Sequence, residues 1–396
     1  MPTGLRGKLT SFRPQNLIRI MPAKGASMAR VFIAGGGVIG LSIAWRAAQR
    51  GFEVTVADPA PGSGASHAAA GMLTPVSEAA YTEKELFALG AASLQRYPDF
   101  AAELTAASGR PTGFQVTGTL QVGFDRDDLA VIDELRELQD SLGVPGQRLT
   151  GRECRRLEPM LDPSVAGGLL VAADGSVDPR KLTDALLVAA ERAGVRIVRQ
   201  PVTRIEGRRA RLADGTVAEA DQVVLAAGWS SAQIEGLPAA AVPPVRPVKG
   251  QIVRLQAPPG FLGRSVRGVV RGSDVYLVPR PDGELVVGAT QEELGDDTRV
   301  TAGGLWELLR DARALVPGIT ELEFTEAVAR LRPGTPDNGP VLGPCAADGL
   351  VLATGHFRNG VLLTPVTADA IAGYLETGQL PAVAAHFTID RFGRPA

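Results

Sequence analysis

The stretch RVFIAGGGVIGLSIAWRAAQRGFEVTVAD, residues 30–58, predicts a strand, a glycine turn, an amphipathic helix and a second strand. Gly35, Gly37 and Gly40 stand in the GxGxxG spacing between the first strand and the helix. In this arrangement the first glycine permits a tight turn, the second lets the backbone approach a pyrophosphate, and the third lets the helix pack closely. The amino end of the helix then stabilises phosphate charge through its N–H groups.

An acidic residue follows at the end of the second strand, where Asp58 lies 23 residues after Gly35. Its carboxylate can bind ribose hydroxyls and would repel a 2'-phosphate, which disfavours NADP. Strand, helix and acid together predict a dinucleotide site for FAD or NAD. The segment GSGASHAAAGML, residues 62–73, favours a flavin, because small residues let backbone amides approach a flat polar group. The alternative for this segment is a small-residue helix start packed on the sheet.

The composition is that of an ordinary globular protein of two or three domains, with 396 residues, 45% hydrophobic residues and a net charge of -2. The sequence has no excess of basic residues that would indicate nucleic-acid binding. It also has no apolar run long enough to indicate a membrane-spanning helix. Cys154 and Cys345 lie far apart without metal-ligand spacing, so neither a disulfide nor a metal site is expected. A reducing, cytoplasmic location fits this cysteine usage.

The first 30 residues carry six basic and no acidic side chains. A signal peptide needs an unbroken apolar core, and Arg19 interrupts the candidate segment. We therefore expect residues 1–29 to be a flexible leader. The alternative is that the start codon is assigned too early, since Met21 and Met28 lie just before the first strand.

Later segments alternate between two kinds of structure. DPRKLTDALLVAAERAGVRIVRQ, residues 178–200, has helical spacing followed by a strand. From about Pro243 strands and turns dominate, and YLVPRPDGELVVG, residues 276–288, predicts a hairpin with Pro-Asp-Gly in the turn. Helical runs at 127–143 and 303–316 interrupt this part. The pattern predicts an α/β fold: a Rossmann-like dinucleotide-binding domain with an interleaved antiparallel β-sheet substrate domain.

We place the boundaries of these domains by the same change of pattern. The FAD-binding domain is predicted to be discontinuous, over residues 30–110, 146–240 and 326–396, and the substrate-binding domain over residues 111–145 and 241–325.

Several motifs resemble those of the D-amino-acid oxidase family of FAD enzymes, in the same order. They are ASHAAAGML (65–73), PVKGQ (247–251), YLVPR (276–280), LRPGTPDNGPVLG (331–343) and GHFRNGVLLTP (355–365). Within the family the likeness is greatest to the glycine oxidases of bacterial thiamine biosynthesis. It implies a glutathione-reductase-type FAD domain and hydride transfer from glycine, another small amine or a D-amino acid to flavin N5. The products would be an imine and hydrogen peroxide, for the thiazole branch of thiamine synthesis.

The resemblance also implies which residues contact FAD, mostly through their backbone. They are Gly35, Gly37, Val38, Ile39, Gly40, Asp58, Pro59, Ala65, Ser66, Ala70, Gly71, Met72, Val202, His356, Phe357, Arg358, Asn359, Gly360, Val361 and Leu362. Sarcosine-oxidase-like relatives carry a lysine and a histidine where this chain has Val286 and Thr290, and their flavin-linking cysteine is absent. Noncovalent FAD is therefore expected.

A substrate carboxylate in a dry pocket requires a cation, and the planar fork of an arginine binds it with two parallel hydrogen bonds. Arg332 in LRPGT, followed by a Pro-Gly turn, is our first candidate, although a surface salt bridge at a strand end is the ordinary alternative. Arg358 is the second candidate. Tyr276 either reaches the carboxylate with its hydroxyl or is a cross-strand aromatic, and the resemblance favours the hydroxyl. The resemblance also places Gln291 in the pocket lining.

The segment GHFRNG is expected to connect the last strand of the FAD domain to its final helix, which begins between Gly360 and Pro365. The amino end of that helix would stabilise negative charge on the pyrimidine edge of the flavin.

Two other functions remain open on the sequence. One is a D-amino-acid dehydrogenase that passes electrons to a quinone, and the other is a flavin-binding module without turnover, against which Arg332 and Tyr276 argue. The expected partners are a small amino acid and molecular oxygen, with no nucleic acid and no membrane. The resemblance also implies that the protein forms a homo-oligomer, namely a tetramer. It further implies that a thiazole synthase uses the product downstream.

Overall fold

The computed structural model describes residues 28–144 and 146–393. The leader expected over residues 1–29 lies outside this range except for Met28 and Ala29, which are exposed.

Nineteen β-strands lie within the described ranges. They are β1 Arg30–Ala34, β2 Glu53–Ala57, β3 Met72–Leu73, β4 Thr119–Gly123, β5 Gln147–Thr150, β6 Gly167–Val171, β7 Gly175–Ser176, β8 Arg196–Val198, β9 Val202–Glu206, β10 Arg209–Leu212, β11 Val217–Glu219, β12 Gln222–Leu225, β13 Arg246–Gln256, β14 Ser265–Val270, β15 Ser273–Pro279, β16 Glu284–Gly288, β17 Glu323–Gly334, β18 Val341–Pro344 and β19 Leu350–Thr354.

The same ranges contain nine α-helices and several short 3-10 turns. The helices are α1 Val38–Gln49, α2 Ala65–Ala68, α3 Lys84–Ser108, α4 Arg126–Ser141, α5 Gly151–Leu157, α6 Pro179–Arg192, α7 Ala302–Leu315, α8 Thr364–Thr377 and α9 Ala382–Ala385. The 3-10 turns are Gly228–Gln233, Ala239–Ala241, Pro317–Glu321, Phe357–Asn359 and Ile389–Phe392.

The first sheet has six strands in the order β18-β19-β12-β1-β2-β8, and β1 pairs in parallel with both β2 and β12. The predicted strand-helix-strand unit is confirmed. Gly35 has a φ of 109°, which suits glycine. A Cβ on Gly40 would collide with the carbonyl oxygen of Gly35, so that glycine lets α1 begin tightly against β1. Helix α1 is buried on nearly all sides because it packs against α6 and α8 as well as the sheet.

The second sheet has eight strands in the order β17-β13-β16-β15-β14-β4-β6-β5, and its pairs are antiparallel except for β14 with β4. The predicted hairpin is confirmed as β15 and β16, with Gly283 at a φ of 90° in the turn. Strands β5 and β6 join this sheet although they lie in residues 146–240, which we assigned to the FAD-binding domain. The sheet therefore extends beyond the predicted substrate-binding ranges.

Two details near the expected site differ from the sequence prediction. Strand β17 continues through Pro333 and Gly334, so Arg332 lies inside the strand and not at its end. Pro333 is tolerated because β17 is an edge strand. Helix α8 begins at Thr364, within the predicted interval, but α9 follows it, so α8 is not the final helix.

The largest hydrophobic core lies around the six-stranded sheet and includes Leu41, Trp45 and Leu186, all essentially buried. A second core fills the space between the eight-stranded sheet and α5 and α7. None of the described helices has both the length and the hydropathy needed to cross a membrane.

Candidate active site

A cavity of about 450 Å³ opens where the two sheets meet. One wall is formed by the carboxyl ends of β1, β12 and β19, and the other by β13, β15 and β17. The strand order reverses direction at β1, which has β2 on one side and β12 on the other. Open parallel sheets bind ligands at such a switch point. The cavity runs from Asp58 and Val202 at one end to Tyr276 and Arg332 at the other.

At the first end, Asp58 is arranged to bind hydroxyl groups. Its Oδ2 accepts the Gly36 N–H over 2.7 Å and its Oδ1 accepts the Ala60 N–H over 2.8 Å. Because each carboxylate oxygen has two lone pairs, both can accept a further hydrogen bond from a ribose. Pro59 and Val202, which are expected to contact FAD, line the same end of the cavity.

The amino end of α1 fits a pyrophosphate. A Cβ on Gly37 would meet Ser66 Oγ at 3.4 Å, which is ordinary contact, so internal packing does not require a glycine there. The space beside Gly37 belongs to the cavity, and its lack of a side chain is explained by a ligand that approaches the backbone. Ser66 Oγ accepts the Val38 N–H over 3.2 Å and joins α1 to the small-residue segment.

Four arginines hold the backbone of that segment by its carbonyl oxygens. Arg330 Nε donates to Ser63 O over 2.8 Å, and Arg180 Nε donates to His67 O over 3.1 Å. Arg254 also donates to His67 O, and Arg280 donates to Ala70 O. Sequence analysis did not identify these arginines. Their signal was weak, because they come from four separate parts of the chain, namely α6, β13, β17 and the turn after β15, and share no motif.

The segment GHFRNG follows β19 and lines the cavity from His356 to Gly360. Gly355 and Phe357 have positive φ values of 74° and 46°. His356 is buried, and its Nε2 lies 3.1 Å from Thr367 Oγ1. Burial lowers the pKa of His356 to about 3, so its imidazole is neutral and supplies no positive charge to a ligand.

Helix α3, which sequence analysis missed, fixes the backbone just after this segment. Tyr97 Oη donates to Val361 O over 2.7 Å and Ser93 Oγ donates to Leu362 O over 2.6 Å. Both donors are buried. These bonds determine where the chain turns into α8.

At the other end of the cavity, Arg332 Nη1 donates to Thr290 O over 3.1 Å and to Lys249 O over 3.3 Å. Gly250 faces the guanidinium group, because a Cβ at this position would overlap it. Burial lowers the pKa of Arg332, but an arginine stays charged in proteins. Its remaining N–H donors are available to an anion in the cavity.

Tyr276 lies beside Arg332 and faces the cavity, whereas Val275 faces the core on the opposite side of the sheet. Gly288 stands opposite Tyr276 on β16, where a Cβ would come within 2.5 Å of the tyrosine Oη. The glycine thus leaves room for the ring. Burial raises the pKa of Tyr276, so its phenol is protonated at neutral pH and can donate a hydrogen bond.

Arg358 lies at the cavity mouth, where its side chain is 41% exposed and 4.0 Å from Glu83. Gln291 was wrongly placed in the lining. Thr290 and Glu292 turn inward to Gln251 and Lys249, so the intervening Gln291 points outward and is exposed. Gly40 and Leu362 were also expected to contact FAD, but they lie beneath the cavity wall and not in it.

The remaining predicted residues all line the cavity. They are Gly35, Gly37, Val38, Ile39, Asp58, Pro59, Ala65, Ser66, Ala70, Gly71, Met72, Val202, Tyr276, Arg332, His356, Phe357, Arg358, Asn359, Gly360 and Val361. Glu78, Trp229, Gly250, Ile252 and Arg330 also line it and were not predicted.

Comparison with known proteins agrees with this geometry. The sequence model of the FAD dependent oxidoreductase family DAO matches residues 30–374. The chain is 33% identical over 373 residues to the bifunctional protein ThiO/ThiG of Trichormus variabilis, covering 92% of this chain and 55% of that protein. It therefore spans about half the length of that relative.

A glycine oxidase of Geobacillus kaustophilus is 33% identical over 369 residues, covering 91% of this chain and 96% of that protein. The crystal structure of glycine oxidase from the same organism superposes with a TM-score of 0.84 and covers 92% of this chain and 99% of that chain.

Proposed function

Since the chain belongs to the DAO family of FAD-dependent oxidoreductases, we propose that it oxidises glycine and other small amines or D-amino acids to imines and reduces oxygen to hydrogen peroxide. The observation that carries this proposal is the position of Arg332 and Tyr276 in the same cavity as the dinucleotide-binding glycine turn. A protein that only stored a flavin would have no use for a buried anion site beside it.

FAD fits the residues of the cavity. Asp58 offers lone pairs to the ribose, the open space beside Gly37 receives the pyrophosphate, and the segment from His356 to Gly360 gives the ring a wall of backbone. When bound, FAD supplies the acceptor for a hydride, which is chemistry that amino-acid side chains cannot perform. We propose that the flavin is held noncovalently.

Arg332 binds the substrate carboxylate in this account. Its Nη1 is held by the carbonyl oxygens of Thr290 and Lys249, which fixes the plane of the guanidinium group. In addition to the two hydrogen bonds from the guanidinium group, the Tyr276 hydroxyl donates one to the carboxylate. Because both groups are largely shielded from water, their attraction for an anion is stronger than it would be at the surface. Fixing the carboxylate fixes the neighbouring carbon, which must approach the cofactor to about 3–3.5 Å.

Arg358 is a secondary contact in this proposal. It lies at the mouth of the cavity and is half-exposed, so it attracts anionic substrates and is screened by salt.

The proposal also covers the fate of the imine product and the partners of the protein. The likeness to half of a bifunctional ThiO/ThiG protein supports an imine that enters the thiazole branch of thiamine synthesis, with a thiazole synthase downstream. We also propose a homo-oligomer and a cytoplasmic location, the latter supported by the two free cysteines.

Oxygen uptake in the presence of glycine, sarcosine, D-alanine or D-proline tests the proposal. We expect uptake with at least one of them, with peroxide and the carbonyl product formed in equal amounts. Turnover with a quinone or dye but not with oxygen would show a dehydrogenase. No turnover with any acceptor would overturn the proposed activity.

A further inference from the structure

Glu78 lines the cavity, and the function proposed above leaves it without a role. It belongs to the segment between β3 and α3, residues 74–83, which has no regular secondary structure beyond turns. Its carboxylate pairs with Arg267 on β14. Arg267 stands directly opposite Tyr276 in the sheet, which places Glu78 beside the tyrosine that lines the substrate end.

The backbone on the amino-terminal side of Glu78 is held rigidly. Gln121 Nε2 donates to Ser77 O over 3.0 Å, and Gln139 Nε2 donates to Val76 O over 3.1 Å. The Ser77 hydroxyl also donates to Asp174. These four side chains are all buried. A carboxylate fixed in this way is preorganised for a ligand and does not depend on a mobile surface loop.

The ion pair with Arg267 does not fully neutralise the negative charge of Glu78. Residues 267 and 269 of β14 share one face of the sheet with their partners Tyr276 and Asp274 on β15. Arg267 therefore has two carboxylates near it: Glu78, which its Nη1 contacts, and Asp274, which lies diagonally across from it in the sheet. One arginine cannot neutralise two acids. Glu78 Oε1 contacts Arg267, and Oε2 remains to accept a hydrogen bond from the cavity.

The charges at this end of the cavity match an amino acid. Arg332 and Arg358 are positive, and Glu78 is the acidic residue among the described lining residues there, since Asp58 lies at the opposite end. A substrate that carries both a carboxylate and an amine presents both charges at once. Arg332 and Tyr276 satisfy the carboxylate and leave the amine without a partner among the residues assigned so far.

We propose that Glu78 binds the amino group of the substrate and so distinguishes amino acids from plain carboxylates. This inference rests on the function proposed above. The carboxylate accepts an N–H of the amine, whether the amine arrives charged or neutral, and orients the nitrogen relative to the carbon that is oxidised. Arg267 holds Glu78 in place and does not itself contact the substrate.

The test compares two ligands on the FAD-loaded Glu78→Gln variant. Glycine has both groups, and acetate has only the carboxylate. Because a hydrogen bond to a charged group contributes more than a neutral one, we expect KM for glycine to rise roughly 10- to 100-fold. The dissociation constant of acetate, measured by calorimetry, should change by less than about threefold on the same reasoning. Glu85→Gln removes the same charge from an exposed position on α3 and should change neither value.

Glu78→Asp keeps the charge but shortens the side chain, and it serves as the second variant. We expect it to raise KM for glycine less than Glu78→Gln does and to leave acetate binding intact, and it decides the question alone if Glu78→Gln fails to fold. Equal losses for glycine and acetate would mean that Glu78 only supports Arg267 and Tyr276, and an unchanged KM would also overturn the inference. If the wild-type protein oxidised no amine, the proposed function would fail first, and the two failures are thus distinguishable.

Discussion

The guanidinium of Arg332 donates to the carbonyl oxygen of Thr290 over 3.1 Å, and the Thr290 hydroxyl is itself fixed from two sides. It accepts the Gln251 N–H over 2.9 Å and donates to Glu292 over 2.6 Å. The arginine that we assign to the substrate carboxylate is thus held by a network that reaches through Glu292 to Lys249.

Replacing Arg332 by methionine should remove the carboxylate clamp and leave the flavin bound. Two hydrogen bonds from a charged donor contribute about 1.5–3 kcal/mol each, so kcat/KM for glycine should fall by about two orders of magnitude or more. Arg330 lies two residues earlier on the same strand but donates to Ser63 O in the small-residue segment, residues 62–73. Arg330→Met should therefore weaken FAD binding more than glycine binding. Loss of FAD from Arg332→Met with unaltered glycine binding would show that the roles are reversed.

Lys249→Met tests the support of the clamp. Lys249 is fully buried, with Nζ 3.3 Å from Glu292 and 3.5 Å from Asp297. Without it these acids repel each other, and the segment that carries the Thr290 carbonyl should shift. We expect a lower melting temperature and a raised KM for glycine. Arg299→Met removes an exposed partner of Asp297 and is the control, with both quantities near wild type. Equal effects of the two variants would argue against a role for the buried lysine.

Gly37→Ala and Gly40→Ala separate ligand approach from packing. A methyl group at Gly37 occupies cavity space without a severe clash, so the apoprotein should keep its stability while FAD binds at least about tenfold more weakly. A methyl group at Gly40 collides with the Gly35 carbonyl oxygen, so this variant should lose stability even without FAD. Normal FAD affinity in Gly37→Ala, measured by flavin fluorescence, would contradict the placement of the pyrophosphate.

Asp174 should make stability depend on pH. Burial raises the pKa of Asp174 to about 7, although hydrogen bonds from Ser77 and Thr119 lower it in part. An unfolded aspartate titrates near pH 3.9, so between about pH 4 and 7 the folded protein retains a proton that the unfolded chain has lost. The contribution of Asp174 to the free energy of unfolding is therefore largest below about pH 4. It decreases as the pH rises to about 7 and is constant above that pH.

Asp174→Asn mimics the protonated acid and removes this dependence. Its melting temperature should equal that of the wild type near pH 4 and exceed it at pH 8. A difference that does not vary with pH would contradict the buried, proton-binding state of Asp174.

The parts of the structure that short sequence patterns encode were predicted well. The strand-glycine-helix unit, the hairpin around Gly283 and the placement of Tyr276 and Arg332 in one cavity all follow from local spacing or from the family motifs. Helix α3 was missed because Gly90 and Pro98 lie inside it. The structure tolerates Pro98 on the exposed side of the helix, while Tyr97 and Phe100 are buried.

Glu78 could not be found from the sequence for a different reason. Its position depends on Gln121, Gln139 and Asp174, which come from distant segments, and nothing around it has a regular period. The prediction that Gln291 lines the cavity was wrong because the side chains on either side of it turn inward. An in-and-out alternation that begins outside a regular strand cannot be predicted from a motif.

The most direct measurement of the central claim is the flavin absorbance of the FAD-loaded protein as glycine is added without oxygen. We predict that the absorbance of the oxidised flavin bleaches, and that admitting air restores it with release of one hydrogen peroxide for each glycine consumed. A spectrum that stays oxidised with glycine, sarcosine, D-alanine and D-proline alike would contradict the assignment of this cavity to amine oxidation.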